Sequence, residues 1–205
     1  MRASWIAACV LAAGAASAQK RAGLPRVLLL GDSIYGQPAR AAQKMLKGRV
    51  ELVVPKTRPG DSATALRTLD RLLGDGKWDL IHFNWGLHDL KYIDGKHQVP
   101  IDEYEKNLKK LVARMKQTGA KLIWCSTTPV PEGCSPPRKN EDVLKFNAVA
   151  QTIMQANNIP TDDLYTFANE RLEKIQRPAN VHFSPEGSKV LAGQVAKTIL
   201  EALQK

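Results

Sequence analysis

Two polar segments of this sequence carry residues that can do nucleophilic chemistry. Ser33 follows the apolar run 27–30 within Gly-Asp-Ser-Ile at 31–34, and His182 lies in the polar segment 180–187, far along the chain. A serine hydroxyl is a weak nucleophile until a neighbouring imidazole takes its proton. A serine at the end of a strand and a histidine in a distant loop are the pair that covalent acyl transfer requires, so the sequence predicts a serine esterase.

The elements that would position these residues follow an α/β pattern. Apolar segments alternate with amphipathic ones, each pair about 30 residues long, as expected of strands that alternate with helices. The apolar segments show no polar alternation, which is typical of strands buried in a parallel sheet. Strands are predicted at 26–30, 50–54, 80–84 and 122–126, with a weaker one at 160–164. Helices are predicted from Pro38 to Gly48, at 62–74 and 101–118, from Asn140 onward, and from Pro185 to about Leu203.

This topology brings sequence-distant polar residues to one edge of the sheet. In an open parallel sheet, ligands bind beyond the carboxyl ends of the strands, where helix N-termini also lie. Ser33 follows the first strand, Gly60 the second and His88 the third, while His182 directly precedes the last helix. We therefore expect these four residues to be neighbours. A turn that caps a helix and a histidine at a helix entry are the structural alternatives for Ser33 and His182.

The same residues resemble the sequence blocks of the SGNH or GDSL hydrolases, over nearly the whole chain from residue 19. The resemblance implies a flavodoxin-like, three-layer α/β/α sandwich with a mostly five-stranded parallel sheet, and hydrolysis of esters of lipids, carbohydrates or other small acyl donors. By similarity to the first block, Ser33 is the nucleophile and its backbone N–H is one oxyanion donor. The second block implies that the N–H of Gly60 is another donor. The last block places the base at His182.

Two positions depart from the family pattern. His88 stands where the family has an oxyanion-binding asparagine, and Ala179 stands where it has the aspartate three residues before the base. A neutral imidazole can donate one N–H, so His88 is expected to take over the oxyanion role. For the support of the His182 ring, the sequence leaves open Asn180, a backbone carbonyl or an aspartate folded nearby. The aspartates considered are Asp162 and Asp163.

The substrate is less determined than the reaction. Only 6% of the residues are aromatic and no apolar lid segment is apparent, so we expect a short acyl group, chiefly acetyl. Arg58 and Arg138, together with Arg177, are candidates for a basic rim, and Trp85 for stacking on a sugar ring, which favours an acetylated carbohydrate or an acidic polysaccharide. The alternatives are a lysophospholipase or thioesterase, and a non-catalytic glycan- or envelope-binding protein on the same fold.

The first residues are typical of an export signal. Met1 and Arg2 precede the apolar run 5–14, and Ala-Ser-Ala at 16–18 is a small-residue cleavage site. We therefore predict a signal peptide at 1–18 and one hydrolase domain at 19–205, secreted or periplasmic. The apolar run is shorter than the roughly 20 residues that span a bilayer, so no stable membrane insertion is expected after cleavage.

Composition and spacing argue against several other classes of protein. The formal charge of +10 is spread along predicted helices without a nucleic-acid-binding motif, so no nucleic-acid partner is expected. The four histidines lack metal-ligand spacing, and we predict neither a metal nor a cofactor. His82 is interpreted as a core residue and His97 as exposed. Once Cys9 leaves with the signal, Cys125 and Cys134 form either a disulfide or two free thiols.

Overall fold

A parallel β-sheet arranges every loop of the candidate site. The computed structural model describes residues 23–204, so the predicted signal peptide lies outside the described residues. The strands are β1 (Arg26–Leu30), β2 (Glu51–Val53), β3 (Leu80–Phe83), β4 (Tyr92–Ile93), β5 (Lys96–His97), β6 (Lys121–Cys125) and β7 (Thr161–Asp162). Five of them pair in parallel in the order β2-β1-β3-β6-β7, whereas β4 and β5 form a separate antiparallel hairpin.

Helices cover both faces of this sheet. They are α1 (Gly36–Met45), α2 (Ser62–Leu73), α3 (Ile101–Lys116), α4 (Asn140–Ala156), α5 (Leu164–Asn169), α6 (Leu172–Ile175) and α7 (Pro185–Gln204). α1 packs against α7, which also contacts α5 and α6, while α3 packs against both α2 and α4. Right-handed crossovers place these two groups of helices on opposite faces of the sheet. The predicted three-layer α/β/α sandwich is confirmed.

The residue types at the strand and helix ends explain these elements. Val27 to Leu30 of β1 are each no more than 2% exposed, as expected of a central strand with helices on both sides. The side chain of Asp61 accepts a hydrogen bond from the backbone N–H of Thr64 and so caps the N-terminus of α2. Ser184 does the same for α7, because its Oγ accepts from the N–H of Gly187.

The structure differs from the sequence prediction at several short elements. α1 begins at Gly36 rather than Pro38, because a 3-10 turn over Ser33–Tyr35 runs directly into it. The hairpin β4–β5 and the helices α5 and α6 were not predicted, since segments of two to six residues are too short to show a hydrophobic period. The expectation of an exposed His97 is wrong. Its ring is only 21% exposed, and its Nε2 lies 3.2 Å from Asp142 Oδ2.

A buried chain of polar side chains links the sheet to the turn that carries Ser33. Tyr35 Oη lies 3.1 Å from His82 Nδ1, and His82 Nε2 lies 3.1 Å from Asp162 Oδ2. All three residues are buried. An unpartnered polar group in such a place costs about 1–3 kcal/mol, so each member needs its neighbour. The interpretation of His82 as a satisfied core residue is confirmed.

Cys125 and Cys134 are both buried free thiols. Of the two alternatives that the sequence left open, the structure has the unbridged one. Cys125 ends β6 inside the core, where its Sγ faces the carbonyl of Ser126. The Sγ of Cys134 faces the carbonyl of Pro136 in the loop that follows.

Candidate active site

The turn after β1 presents Ser33 to solvent at the carboxyl edge of the sheet. Asp32 is buried, and its Oδ1 accepts a 2.8 Å hydrogen bond from the backbone N–H of Ile34. This bond caps the 3-10 turn and leaves Ser33 exposed beside it. Gly31 suits the bend, because a Cβ there would lie 3.1 Å from the ring of Tyr35 and 3.4 Å from the carbonyl of Asn84, and these neighbours would have to shift by a few tenths of an ångström. The Gly-Asp-Ser order thus places the hydroxyl by local geometry.

His182 reaches Ser33 from the loop that precedes α7. Backbone hydrogen bonds hold this loop at both ends: Arg177 N donates to the His182 carbonyl, and Ser184 N donates to the Ile175 carbonyl. His182 Nε2 lies 2.9 Å from Ser33 Oγ. Residues that stand 149 positions apart in the chain are therefore within direct hydrogen-bonding distance. This is the contact that a nucleophile and its general base need.

Asn180 determines which nitrogen of His182 carries the proton. Asn180 Oδ1 lies 2.9 Å from the backbone N of His182 and 3.0 Å from its ring Nδ1. A backbone N–H can only donate, so the amide atom that faces it must be the oxygen. The same oxygen faces Nδ1, which must then be protonated. Nε2 is left as the acceptor for the hydroxyl of Ser33, and this is the tautomer that base catalysis requires.

The charges around His182 favour its neutral form. Its pKa is lowered from the ordinary 6.5, first by partial burial and then by the positive charges of Arg177 and Arg138. Burial and positive neighbours both disfavour the imidazolium. Near pH 7 the ring is therefore available to accept a proton.

His88 lies directly over Gly60. A Cβ on Gly60 would come within 2.6 Å of His88 Nδ1, so only glycine allows this approach. Burial, followed by the charges of Lys91 and Arg138, lowers the pKa of His88 to about 4. The ring is neutral near pH 7 and carries one N–H. The structure thus brings Gly60 and His88 into contact. These are the two residues to which, together with Ser33, the sequence analysis assigned oxyanion binding.

Asp89 connects the loop after β3 to the N-terminus of α2. Its Oδ1 accepts a 2.9 Å hydrogen bond from the backbone N–H of Ser62, two residues after Gly60. The carboxyl group is fully buried and its Oδ2 has no hydrogen-bond partner within residues 23–204. Burial raises the pKa of Asp89 to about 7 and, in the same way, that of Asp32 to about 6.

An open pocket of about 340 Å³ surrounds the Ser33–His182 pair. It is lined by Ser33, Gly36, Arg40, Arg58 and His182. Arg58 therefore lies where the sequence placed it, with its guanidinium 2.7 Å from the position of a Cβ on Gly36. Gly36 and Arg40 were missed. Their spacing of three and seven residues after Ser33 is the helical signal that would have identified them.

Of the other two substrate-binding candidates, one is buried, and the other lines a different pocket although its charge acts on His182. Trp85 is fully buried against Phe83, so the prediction that it stacks on a sugar ring is wrong. The chain turns inward after β3, and the backbone carbonyl of Trp85 accepts a hydrogen bond from Tyr104 Oη. Arg138 is partly buried and donates to the carbonyls of Leu87 and Pro136. It holds two loops together and lines a separate pocket of about 460 Å³.

The aspartates that were considered as supports of His182 bond to other groups, Asp162 in the core and Asp163 at the exposed start of α5. Asp162 pairs with His82, and Asp163 accepts from Ser126 Oγ and from the backbone N–H of Thr166. Asn180 alone among the side chains considered contacts the ring. Residues 23–204 contain no group of three or more His, Cys, Asp or Glu side chains placed to hold a metal ion. Over the same range, no helix combines the length and apolar character needed to cross a bilayer.

Comparison with known families shows to which family the chain belongs. Residues 18–190 match the model of the GDSL-like Lipase/Acylhydrolase family. The protein therefore belongs to this family, which confirms the resemblance seen in the sequence, and it is a serine ester hydrolase in class. No curated protein sequence gave a significant match.

Solved structures support the fold assignment. The lipase/acylhydrolase from Enterococcus faecalis is 18% identical with a TM-score of 0.75, over 86% of this chain and 95% of that one. The acetyl xylan esterase AlAXEase is 18% identical with a TM-score of 0.72, over 85% and 99%. A catalytic mutant of Axe2, an acetylxylan esterase from Geobacillus stearothermophilus, is 19% identical with a TM-score of 0.70, over 85% and 94%. At this identity the likeness is one of fold.

The raised pKa of Asp89 predicts a pH-dependent stability. Between about pH 4 and 7 the folded state binds a proton at Asp89 that the unfolded state has lost, so the free energy of unfolding falls as pH rises through this window. Asp32 acts in the same direction. We expect Asp89→Asn to remove the contribution of Asp89 to the pH dependence of the free energy of unfolding. This contribution is on the order of a few kcal/mol between pH 5 and 8, and urea unfolding at several pH values measures it. The exposed Asp94→Asn is the control and should keep the wild-type slope; an unchanged slope in Asp89→Asn contradicts the prediction.

Proposed function

We propose that the protein hydrolyses short-chain esters, chiefly acetyl esters of carbohydrates, through an acyl-enzyme on Ser33. The observation that carries the proposal is the pair of hydrogen bonds at Asn180 Oδ1, because they leave Nε2 of His182 unprotonated at 2.9 Å from Ser33 Oγ. A purely structural histidine at a helix entry has no need of that tautomer or of that partner.

The proposed reaction has two halves. Nε2 of His182 takes the proton of Ser33 as Oγ attacks the ester carbonyl, and the backbone N–H groups of Ser33 and Gly60 with the ring N–H of His88 bind the oxyanion. The protonated ring then gives its proton to the leaving alcohol, and the acyl group stays on Oγ. In the second half His182 takes a proton from water as it attacks the acyl-enzyme, and it returns that proton to Ser33 Oγ as the bond to the acyl group breaks and the carboxylic acid leaves.

The pocket supports a small acyl group. The residues that line it are polar, charged or glycine, and none of them is a large apolar side chain. A long acyl chain needs apolar area to bury, at about 25 cal/mol per Å². The carbohydrate part of the proposal draws on the two fold neighbours that are described as acetyl xylan esterases. The proposed site of action is outside the cytoplasm, on the basis of the predicted signal peptide at 1–18.

Removal of either member of the proposed pair should abolish turnover. We expect Ser33→Ala and His182→Ala to lower kcat for 4-nitrophenyl acetate by at least about 10³-fold, because each loses the nucleophile or its base. Ser184→Ala, two residues from His182 and outside the pair, is the control for an effect on the loop alone. Initial rates with purified protein, beside the thermal midpoints of all variants, make the test.

Three outcomes contradict parts of this proposal. Turnover that persists in Ser33→Ala rejects the acyl-enzyme, and a wild type that matches the buffer blank on a panel of acetylated glycans favours a binding protein. An acyl-length series of nitrophenyl esters tests the small acyl group. Octanoate faster than acetate favours a lipid or thioester substrate instead.

Asn180 is proposed as a positioning residue, and the charge at this position gives a distinct readout. Asn180→Ala should lower kcat about 10- to 100-fold, because the ring loses the acceptor that holds its tautomer. Asn180→Asp should keep activity and move the acidic limb of the pH–rate profile upward, because a carboxylate beside Nδ1 raises the pKa of His182. A wild-type kcat in the alanine variant, or an unmoved acidic limb in the aspartate variant, contradicts this role.

The proposed oxyanion role of His88 requires an N–H donor. We expect His88→Leu, which keeps volume but has no donor, to lower kcat about 10²- to 10³-fold with little change in KM. His88→Asn offers an amide N–H in the same place and should recover activity to within about tenfold of wild type. Equal losses in both variants would show that the ring acts by packing against Gly60 and not by donation.

A further inference from the structure

A groove continues from the Ser33 pocket between α1 and α7. It has a volume of about 300 Å³ and is lined by Arg40, Ala41, Lys44, Pro185, Ser188 and Lys189. Arg40 lines both this groove and the pocket at Ser33, so the two spaces adjoin. The groove therefore offers space past this arginine to a group that is covalently linked to a bound ester.

Helical spacing sets cations along both walls of the groove. Gly36, Arg40 and Lys44 lie four residues apart and so share one face of α1, at intervals of about 6 Å. Pro185 and Lys189 have the same spacing on α7, which packs against α1. The positive charge therefore begins beside the nucleophile and runs away from it.

No carboxylate within residues 23–204 pairs with these cations. No Asp or Glu lines either space, and α1 contains none. In the part of the chain that the structure describes, Arg40, Lys44, Arg58 and Lys189 form no salt bridge, although Lys197 on the same α7 pairs with Glu201 four residues on. All four are exposed. Unpaired like charges repel one another, so a row of them costs free energy unless an anion binds there.

We propose that Arg58, Arg40, Lys44 and Lys189 form an anion-binding groove that leads away from Ser33 and holds carboxylate groups of an acylated acidic carbohydrate chain. The inference deepens the proposed esterase function and rests on it for the ester. Guanidinium groups bind carboxylates bidentately, and the ammonium groups of the lysines add less directional charge. The apolar surface of Ala41 and Pro185 between the cations suits the less polar face of a sugar ring.

The arrangement fits a repeating anion better than a single headgroup. Arg58 lines only the Ser33 pocket, Arg40 lines both spaces, and Lys44 and Lys189 line only the groove, so the charges are spread over two adjoining spaces, which matches charges that recur along a chain. The Ser33 pocket also lacks the apolar lining that the acyl chain of a phospholipid needs. A positive surface beside the site would further raise the rate of association with a polyanion, and salt would weaken this effect.

The selectivity between two acetylated oligosaccharides tests the groove. The probes are O-acetylated tetragalacturonate and O-acetylated xylotetraose, and the measured quantity is the ratio of their kcat/KM values. We expect Arg40→Gln/Lys44→Gln to lower this ratio about three- to tenfold, as the loss of two exposed charge contacts predicts. Arg71→Gln, an exposed arginine on α2, is the control and should leave the ratio at the wild-type value. A ratio that is equal in the wild type and in both variants would reject the proposed role of the groove in binding anions.

Binding separates this inference from the esterase proposal. The Ser33→Ala variant is titrated with non-acetylated tetragalacturonate, with xylotetraose and with lysophosphatidylglycerol, at low and high salt. Tighter, salt-sensitive binding of the galacturonate that is lost with Arg40→Gln/Lys44→Gln supports the groove even if no ester is hydrolysed. Tighter binding of the lipid would mean that the cations bind a phosphate headgroup, and it would reject the acidic carbohydrate as the ligand. Equal binding of the two oligosaccharides would reject the proposed anion-binding site.

Discussion

The contact between Ser33 and His182 depends on a constraint of the parallel sheet. Because all five strands point the same way, the loops that leave them emerge at one edge, and residues from distant parts of the chain meet there. The nucleophile turn is held from below by Asp32 and by the buried Tyr35–His82–Asp162 chain, which crosses from the turn after β1 to β7. The serine hydroxyl is thus an exposed group on a rigid base, while the loop of His182 is held by its own backbone bonds.

The electrostatics of the site divide by depth. Below the surface, Asp32 and Asp89 are buried carboxyl groups whose pKa values rise because water is excluded. At the surface, arginines surround the pair and help to hold the pKa of His182 below its ordinary value. The arginines that act on the base, Arg177 and Arg138, are distinct from Arg40 and Arg58, which line the pocket around the pair.

Both departures from the family pattern replace one hydrogen-bonding group with another. Where the family has an asparagine, the neutral ring of His88 lies against Gly60 and keeps one N–H. Where the family has an aspartate, Ala179 has no polar group, and the amide of Asn180 takes the contact with the base from the next position along. The ring of His88 keeps an N–H donor, whereas Asn180 keeps a hydrogen bond to the base but gives up a negative charge. The proposed chemistry therefore relies on geometry and tautomer more than on a buried carboxylate.

The sequence by itself predicted the fold class and the loops that carry Ser33, Gly60, His88 and His182, because strand burial follows from a local hydrophobic pattern and because ligands bind at the carboxyl ends of parallel strands. The sequence also predicted that Ser33 follows the first strand in a tight turn, which is held by the local hydrogen bond between Asp32 and Ile34. Tertiary structure alone decided which of Asn180, Asp162 and Asp163 contacts His182, since all three carry a side-chain oxygen that can accept a hydrogen bond from the ring. The burial of Trp85 and the groove that adjoins Arg40 could not be predicted from the sequence either. Both depend on how separate elements pack against one another, and no periodicity within a single element encodes that.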